Sequence, residues 1–265
     1  MSVFSQVVTP ADGLAWVTGA SAGIGRALCL ELARRGWAVH ATARRPEPLE
    51  ALAAEAEGLS GRIVPQPGDV TDQAAMGTVA KAVTSEGPMA LAVLNAGVYT
   101  PMRAQAFKAE TAKQMFDVNL TGVANALEPV LEHMIARGRG HVALTASVAG
   151  YRGLPNASAY SATKAGLIAM AEALAMDLVD LGVRISVINP GFVETDATAV
   201  NEFEMPFLMQ TDQAALRIAD GLAKPGFEIA FPRRFALILR LVGLLPNRAY
   251  IWAVRKALGW DKLGG

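Results

Sequence analysis

Seven short apolar runs punctuate the chain, separated by longer stretches whose apolar residues return every three or four positions. The runs are LAWVTGA (14–20), WAVHATA (37–43), RIVPQPGDV (62–70), MALAVLNAG (89–97), GHVALTAS (140–147), VRISVINPG (183–191) and EIAFP (228–232). Their length and β-branched content read as strands, the third as a strand followed by a loop. Between them, GIGRALCLELARRG (23–36), PEPLEALAAEAEG (46–58), TDQAAMGTVAKAVTSEG (71–87), the region 109–137 and AYSATKAGLIAMAEALAMDLVDLG (159–182) carry helical spacing, with Gly36 as a stop signal. The strands are nearly continuous in apolar residues rather than alternating. That is the pattern of a parallel sheet covered by helices on both faces. The expectation is an α/β fold: a doubly wound parallel sheet in three αβα layers, one domain over 1–232. A C-terminal helical extension over 233–265 follows.

Composition narrows the function classes. The 265 residues are 52% hydrophobic, enough for one sizeable core, and 24 basic residues balance 24 acidic ones. No global field or basic stripe points to nucleic acid. The single cysteine, Cys29, excludes an intramolecular disulfide and fits a reducing compartment. It lies in an apolar helical pattern and is expected to be buried filler. His40, His133 and His141 have no metal-ligand spacing. The opening MSVFSQVVTPADG has neither the basic flank nor the apolar run of a secretory signal, so the expectation is cytoplasmic.

The first strand leads into TGASAGIG (18–25) and then a helix. Gly19 permits the tight turn, while Gly23 and Gly25 let backbone approach a ligand and the helix. The helix N-terminus offers free N–H groups to a pyrophosphate. Ser21 and Ile24 lie in the same loop. The second strand ends at Arg44 and Arg45, with no acidic residue before Glu47. A carboxylate there would bind the ribose 2′-hydroxyl of NAD, and a cation would meet the 2′-phosphate of NADP. Arg44 comes first after the strand and is preferred. The expected cofactor is NADP(H), with NAD(H) as the alternative.

These features, with GDV (68–70), NAG (95–97), Asn119, Ser147, YSATK (160–164) and PGFVET (190–195), resemble the short-chain dehydrogenase/reductase family, a Rossmann-fold family, over roughly residues 12–231. The resemblance implies that Asp69 holds the adenine amine with Val70 beside the ring. It implies that Asn95, Ala96 and Gly97 pack against the cofactor. Pro190, Gly191, Val193 and Thr195 are implied to contact its nicotinamide end. One departure is Leu94, where the family places the first of two asparagines. Tyr160 and Lys164 stand four apart, on one face of a helix. An ammonium there stabilises a phenolate and lowers its pKa, which suits acid–base work on a carbonyl or alcohol. Lys164 is also implied to bind the nicotinamide ribose, Ser147 to orient the substrate oxygen, and Asn119 to hold a helix locally open around a proton-relaying water.

Substrate choice is assigned to loops 97–107 and 149–158 and to a mobile lid at 196–215. There Phe203, Met205, Phe207, Leu208 and Met209 would form an apolar lining. The segment RRFALILRLVGLLPNRAYIWAVRKALGW (233–260) is apolar but interrupted by cations and split by Pro246. It is too short and charged to span a bilayer. Two placements remain: packing over the substrate site or a subunit interface, which is preferred, or lying on a membrane surface. The expected activity is interconversion of a carbonyl and a secondary alcohol on a small lipophilic substrate. The expected assembly is a homodimer or homotetramer through helix 159–181. A cofactor-binding sensor or scaffold, or a membrane-surface module, are the alternatives on the same fold.

Overall fold

The computed structural model describes residues 7–199 and 205–257. Its strands are β1 (Leu14–Thr18), β2 (Ala38–Thr42), β3 (Arg62–Pro65), β4 (Met89–Leu94), β5 (Gly140–Thr145), β6 (Val183–Pro190) and β7 (Glu228–Phe231). All pair in parallel, in the order β3-β2-β1-β4-β5-β6-β7. The order reverses between β1 and β4, the crevice where ligands bind in doubly wound sheets.

The continuous apolar strands have a direct explanation in the two cores. Ala15 and Val17 of β1 join one core with α1 (Gly23–Arg34), α2 (Pro46–Glu55) and α7 (Thr211–Leu222). Leu14 and Trp16, the alternate positions, join the other with α3 (Gln73–Glu86), α5 (Gly122–Arg137) and α6 (Ser158–Leu178). Successive side chains of a strand point to opposite faces, and here both faces are dry. Cys29 lies fully buried in the first core, where burial pushes its thiol up.

The region 109–137 is less uniform than its periodicity suggests. α4 (Ala109–Phe116) passes into α5 through a π-helical turn, Asp117–Thr121. The segment assigned to a lid is also corrected at its end. From Thr211 onward the chain is α7, and Ala214 and Ala215 are core residues packed with α1. A burial stripe at i, i+3 and i+4 makes this a fixed helix rather than a mobile flap. Phe203 falls outside the described residues. Beyond β7, α8 (Arg233–Gly243) and α9 (Asn247–Ala257) return over the C-terminal end of the sheet, with Phe235 and Ala236 packed on Val148.

Candidate active site

The site is assembled from strand ends. After β1, Gly19 turns at φ +70°, and a Cβ placed on it would stand 2.7 Å from the Ala96 Cα. A Cβ on Gly25 would stand 2.2 Å from the Gly19 carbonyl oxygen. The loop therefore presses against both β4 and its own helix, leaving a cradle at the open N-terminus of α1 that any side chain would fill. The Thr18 hydroxyl accepts hydrogen bonds from the backbone N–H of Asn95 (3.0 Å) and Ala96 (3.1 Å). The Asn95 amide donates back to the Thr18 carbonyl at 3.2 Å. These bonds hold β1 and β4 together at the crevice.

Around the cradle, Arg44 stands exposed at the end of β2, and the Asp69 carboxylate accepts from the N–H and hydroxyl of Thr71, both at 2.9 Å. The first turn of α1 is overhung by Thr195 from the loop after β6, its Cγ2 3.1 Å from where a Cβ on Gly23 would be. This donor set and cavity fit a dinucleotide: backbone N–H groups for a pyrophosphate, a cation beside β2, and a carboxylate farther along.

Ser147 follows β5 and caps the short turn Val148–Gly150, its hydroxyl accepting from the Ala149 N–H at 3.1 Å. Tyr160 and Lys164 come from the first turns of α6; the Ser147 hydroxyl donates to the Pro190 carbonyl at 3.4 Å and stands close enough to the Tyr160 phenol to lower its pKa. The Lys164 ammonium lies 5.5 Å from the Tyr160 ring centroid and donates to the Thr145 carbonyl at 2.7 Å. Asn119 is fully buried in the π turn. Its Oδ1 accepts from the Val98 N–H (2.7 Å), and its Nδ2 donates to the Val98 carbonyl (2.9 Å) and Thr163 hydroxyl (3.1 Å). The helix opens there because the asparagine side chain is fastened to the end of β4.

The electrostatics depart from the simple pairing drawn from the sequence. Burial pushes the Tyr160 phenol up to about 12, against a lowering by the Ser147 hydroxyl, and the neighbouring Tyr99 raises it further. Lys164 is not among the groups that move it. The ammonium is held by the Thr145 carbonyl, and burial brings its own pKa down to about 8. At neutral pH the pair is a protonated phenol beside an ammonium.

A cleft of about 1500 Å³ joins these groups. Every glycine-loop, β4 and β6 residue singled out from the sequence lines it, as do Arg44, Asp69, Val70, Ser147, Tyr160 and Lys164. Asn119 stands behind its wall, and Arg45 does not reach it. Sequence reasoning passed over Tyr99, whose ring meets Tyr160 edge-on at 4.9 Å. It also passed over Phe192, and it named no single residue of the C-terminal segment it expected over the substrate site; there Phe235, Leu239, Val242 and Val254 make the far end of the cleft apolar. The position of Tyr99 just after NAG, at a strand's C-terminal end, was the available signal. In the lid region, Phe207 stacks on Phe235 with centroids 5.7 Å apart, while Met209 is tied into the first core.

A dinucleotide cradle that opens onto a Ser-Tyr-Lys cluster, with Ser147 and Lys164 buried and Tyr160 half-buried at the cleft, defines an oxidoreductase using a nicotinamide cofactor at CH–OH or C=O groups. The chain matches the short chain dehydrogenase family over residues 14–204, and it belongs to that family. It is 42% identical to an oxidoreductase of Myxococcus xanthus across 91% of this chain and 96% of that protein. It is 36% identical to the 3-oxoacyl-(acyl-carrier-protein) reductase of Thermotoga maritima, across 69% and 74%. Among solved structures, the Thermococcus sibiricus alcohol dehydrogenase complexed with 5-hydroxy-NADP superposes with a TM-score of 0.75 at 26% identity, covering 83% of this chain and 95% of that one. A variant of the actinorhodin polyketide ketoreductase with NADPH does so with 0.75 at 25%, covering 85% and 97%.

Proposed function

We propose that the protein is an NADPH-dependent reductase of lipophilic ketones. The observation that carries this reading is that Ser147, Tyr160 and Lys164 line the same cleft as the glycine cradle, next to an apolar end. A phenol keeps its proton at neutral pH and can give it to a carbonyl oxygen as the carbonyl is reduced. When bound, NADPH supplies the hydride to the carbonyl carbon. Tyr160 gives its proton to the carbonyl oxygen, and the Ser147 hydroxyl donates a hydrogen bond to the same oxygen and orients it. Lys164, charged below about pH 8 and donating to the Thr145 carbonyl, is the cation placed to hold the nicotinamide ribose. Asn119 fixes the end of β4 against α6, and its remaining Oδ1 lone pair is the group available to hold a relay water.

The cofactor contacts follow the cradle. Gly19, Ser21, Gly23, Ile24 and Gly25 take the pyrophosphate side. Asp69 and Val70 take the adenine, Asn95 to Gly97 the middle, and Pro190, Gly191, Val193 and Thr195 the nicotinamide end. Arg44 lines the cleft and Glu47 does not, which supports the 2′-phosphate of NADPH. The structural neighbours' NADP-type cofactors and the ketoreductase names among the relatives support the same reading. The apolar end formed by Phe192, Phe235, Leu239 and Val242 supports a lipophilic substrate. The test is Tyr160→Phe. Turnover of NADPH with bulky apolar ketones is expected to fall by about 10²–10⁴-fold while NADPH binding, read by fluorescence, is retained. Unchanged turnover would remove the phenol from the reaction.

A further inference from the structure

The cleft-facing sides of α8 and α9 are accounted for by the active site; their outer sides are not. On α8, Arg234, Leu237 and Leu241 follow one another at i, i+3 and i+7. On α9, Arg248, Ile251 and Arg255 repeat the spacing, with Trp252 beside them. Both stripes face outward: Leu237 and Leu241 are each 57% exposed, Trp252 62%, and Leu244 at the turn 81%. Residues 233–257 contain six cations and no carboxylate, within a chain whose 24 basic and 24 acidic residues balance. A basic, apolar end is therefore mounted on a body of net negative charge. Arg240 is drawn inward to Glu228, which fixes α8 on β7 and leaves the outer stripe in place.

We propose that this outer face docks on an anionic lipid bilayer. Leu237, Leu241, Leu244, Ile251 and Trp252 enter the headgroup region, while Arg234, Arg248 and Lys256 meet lipid phosphates. Large apolar side chains flanked by cations on short amphipathic helices match an interface that is greasy within and negative at its edge. Neither helix crosses the membrane: no helix among the described residues is long and apolar enough. A second copy seated symmetrically on this face would set arginine against arginine, a like-charge contact that costs affinity. Because Phe235, Leu239 and Val242 of α8 and Val254 of α9 line the cleft, docking would place its apolar end against the acyl region. That last consequence rests on the ketone-reductase reading, and the docking itself does not.

The test sediments the full chain with vesicles of phosphatidylcholine alone and of phosphatidylcholine mixed with phosphatidylglycerol. The protein is expected to pellet with the anionic vesicles only, and less as salt is raised. Removing Arg234 or Arg248 as glutamine is expected to weaken partitioning about fivefold each. Leu244→Glu and Trp252→Glu are expected to abolish it with melting temperature unchanged, since both side chains already face water. Failure to pellet with anionic vesicles overturns the proposal, as does equal pelleting with both kinds. Self-association lost in Leu244→Glu, without vesicle binding in the parent protein, would reassign the face to a second copy. Sedimentation involves no turnover, so its failure and a failure of the reductase reading are separate results.

Discussion

Lys164 and Tyr160 both titrate away from their ordinary values, and the directions decide which one limits turnover at high pH. The ammonium is present below about pH 8 and lost above it, while the phenol keeps its proton up to about 12. The kcat/KM for carbonyl reduction is therefore expected to fall on the alkaline side through about pH 8. Lys164→Arg should move that limb upward, because guanidinium stays charged. A limb that ignores the substitution would assign it to another group. Arg44→Asp is expected to shift preference from NADPH towards NADH by about tenfold or more, through loss of the phosphate contact and repulsion of the 2′-phosphate. An unaltered ratio of kcat/KM values would refute the contact. Tyr160 and Lys164 could be paired from the chain because spacing within one helical turn is local information, whereas Ser147 was implied by the family resemblance. The sign of the Tyr160 shift could not be read there, because it comes from burial and from Tyr99, sixty-one positions away.

At the scale of elements, the least regular parts surround the chemistry. The π turn at Asn119 breaks a helix whose periodicity gives no warning, because the break is fastened by Val98 and Thr163 from other elements. The turn between α8 and α9 is similarly held from outside. Arg152, on the loop between Ser147 and Tyr160, donates to the carbonyls of Gly243 (2.6 Å) and Leu245 (2.7 Å) and lies 4.1 Å over the Tyr250 ring. Tyr250 returns a hydrogen bond to the Gly153 carbonyl at 2.8 Å. These contacts give carbonyls at and just beyond the end of α8 side-chain donors and link the cleft's C-terminal wall to the loop between Ser147 and Tyr160. Arg152→Ala is expected to cost about 2 kcal/mol in denaturant unfolding, the scale of charge-assisted bonds. It should also raise KM for bulky ketones more than it lowers kcat. An unchanged unfolding midpoint would show that the clamp carries little. The period of the C-terminal helices was legible, but which side of each would cover the cleft depended on partners far away in the chain.

For the molecule as a whole, α6 supplies the site from one side and an outward stripe of Ala162, Ala165, Ala169, Ala173 and Met176 from the other. Small residues let two helices approach closely, so a homodimer or homotetramer through this face is expected by light scattering. Met176→Arg should shift it towards monomer, and a monomeric parent protein would overturn the expectation. The amino-acid sequence alone determined the strand and helix alternation, the doubly wound class, the glycine-rich turn and the pairing of Tyr160 with Lys164, and its family resemblance pointed to Ser147. The first four rest on short-range periodicity or on fixed spacing that one turn or one helix imposes. Only the tertiary structure decided which contacts fasten the helix opening at Asn119, that burial and Tyr99 raise the phenol's pKa, that α7 is core rather than lid, and that α8 and α9 turn one side to the cleft and the other to solvent. Those outcomes depend on burial and on contacts between distant segments, which no local pattern encodes.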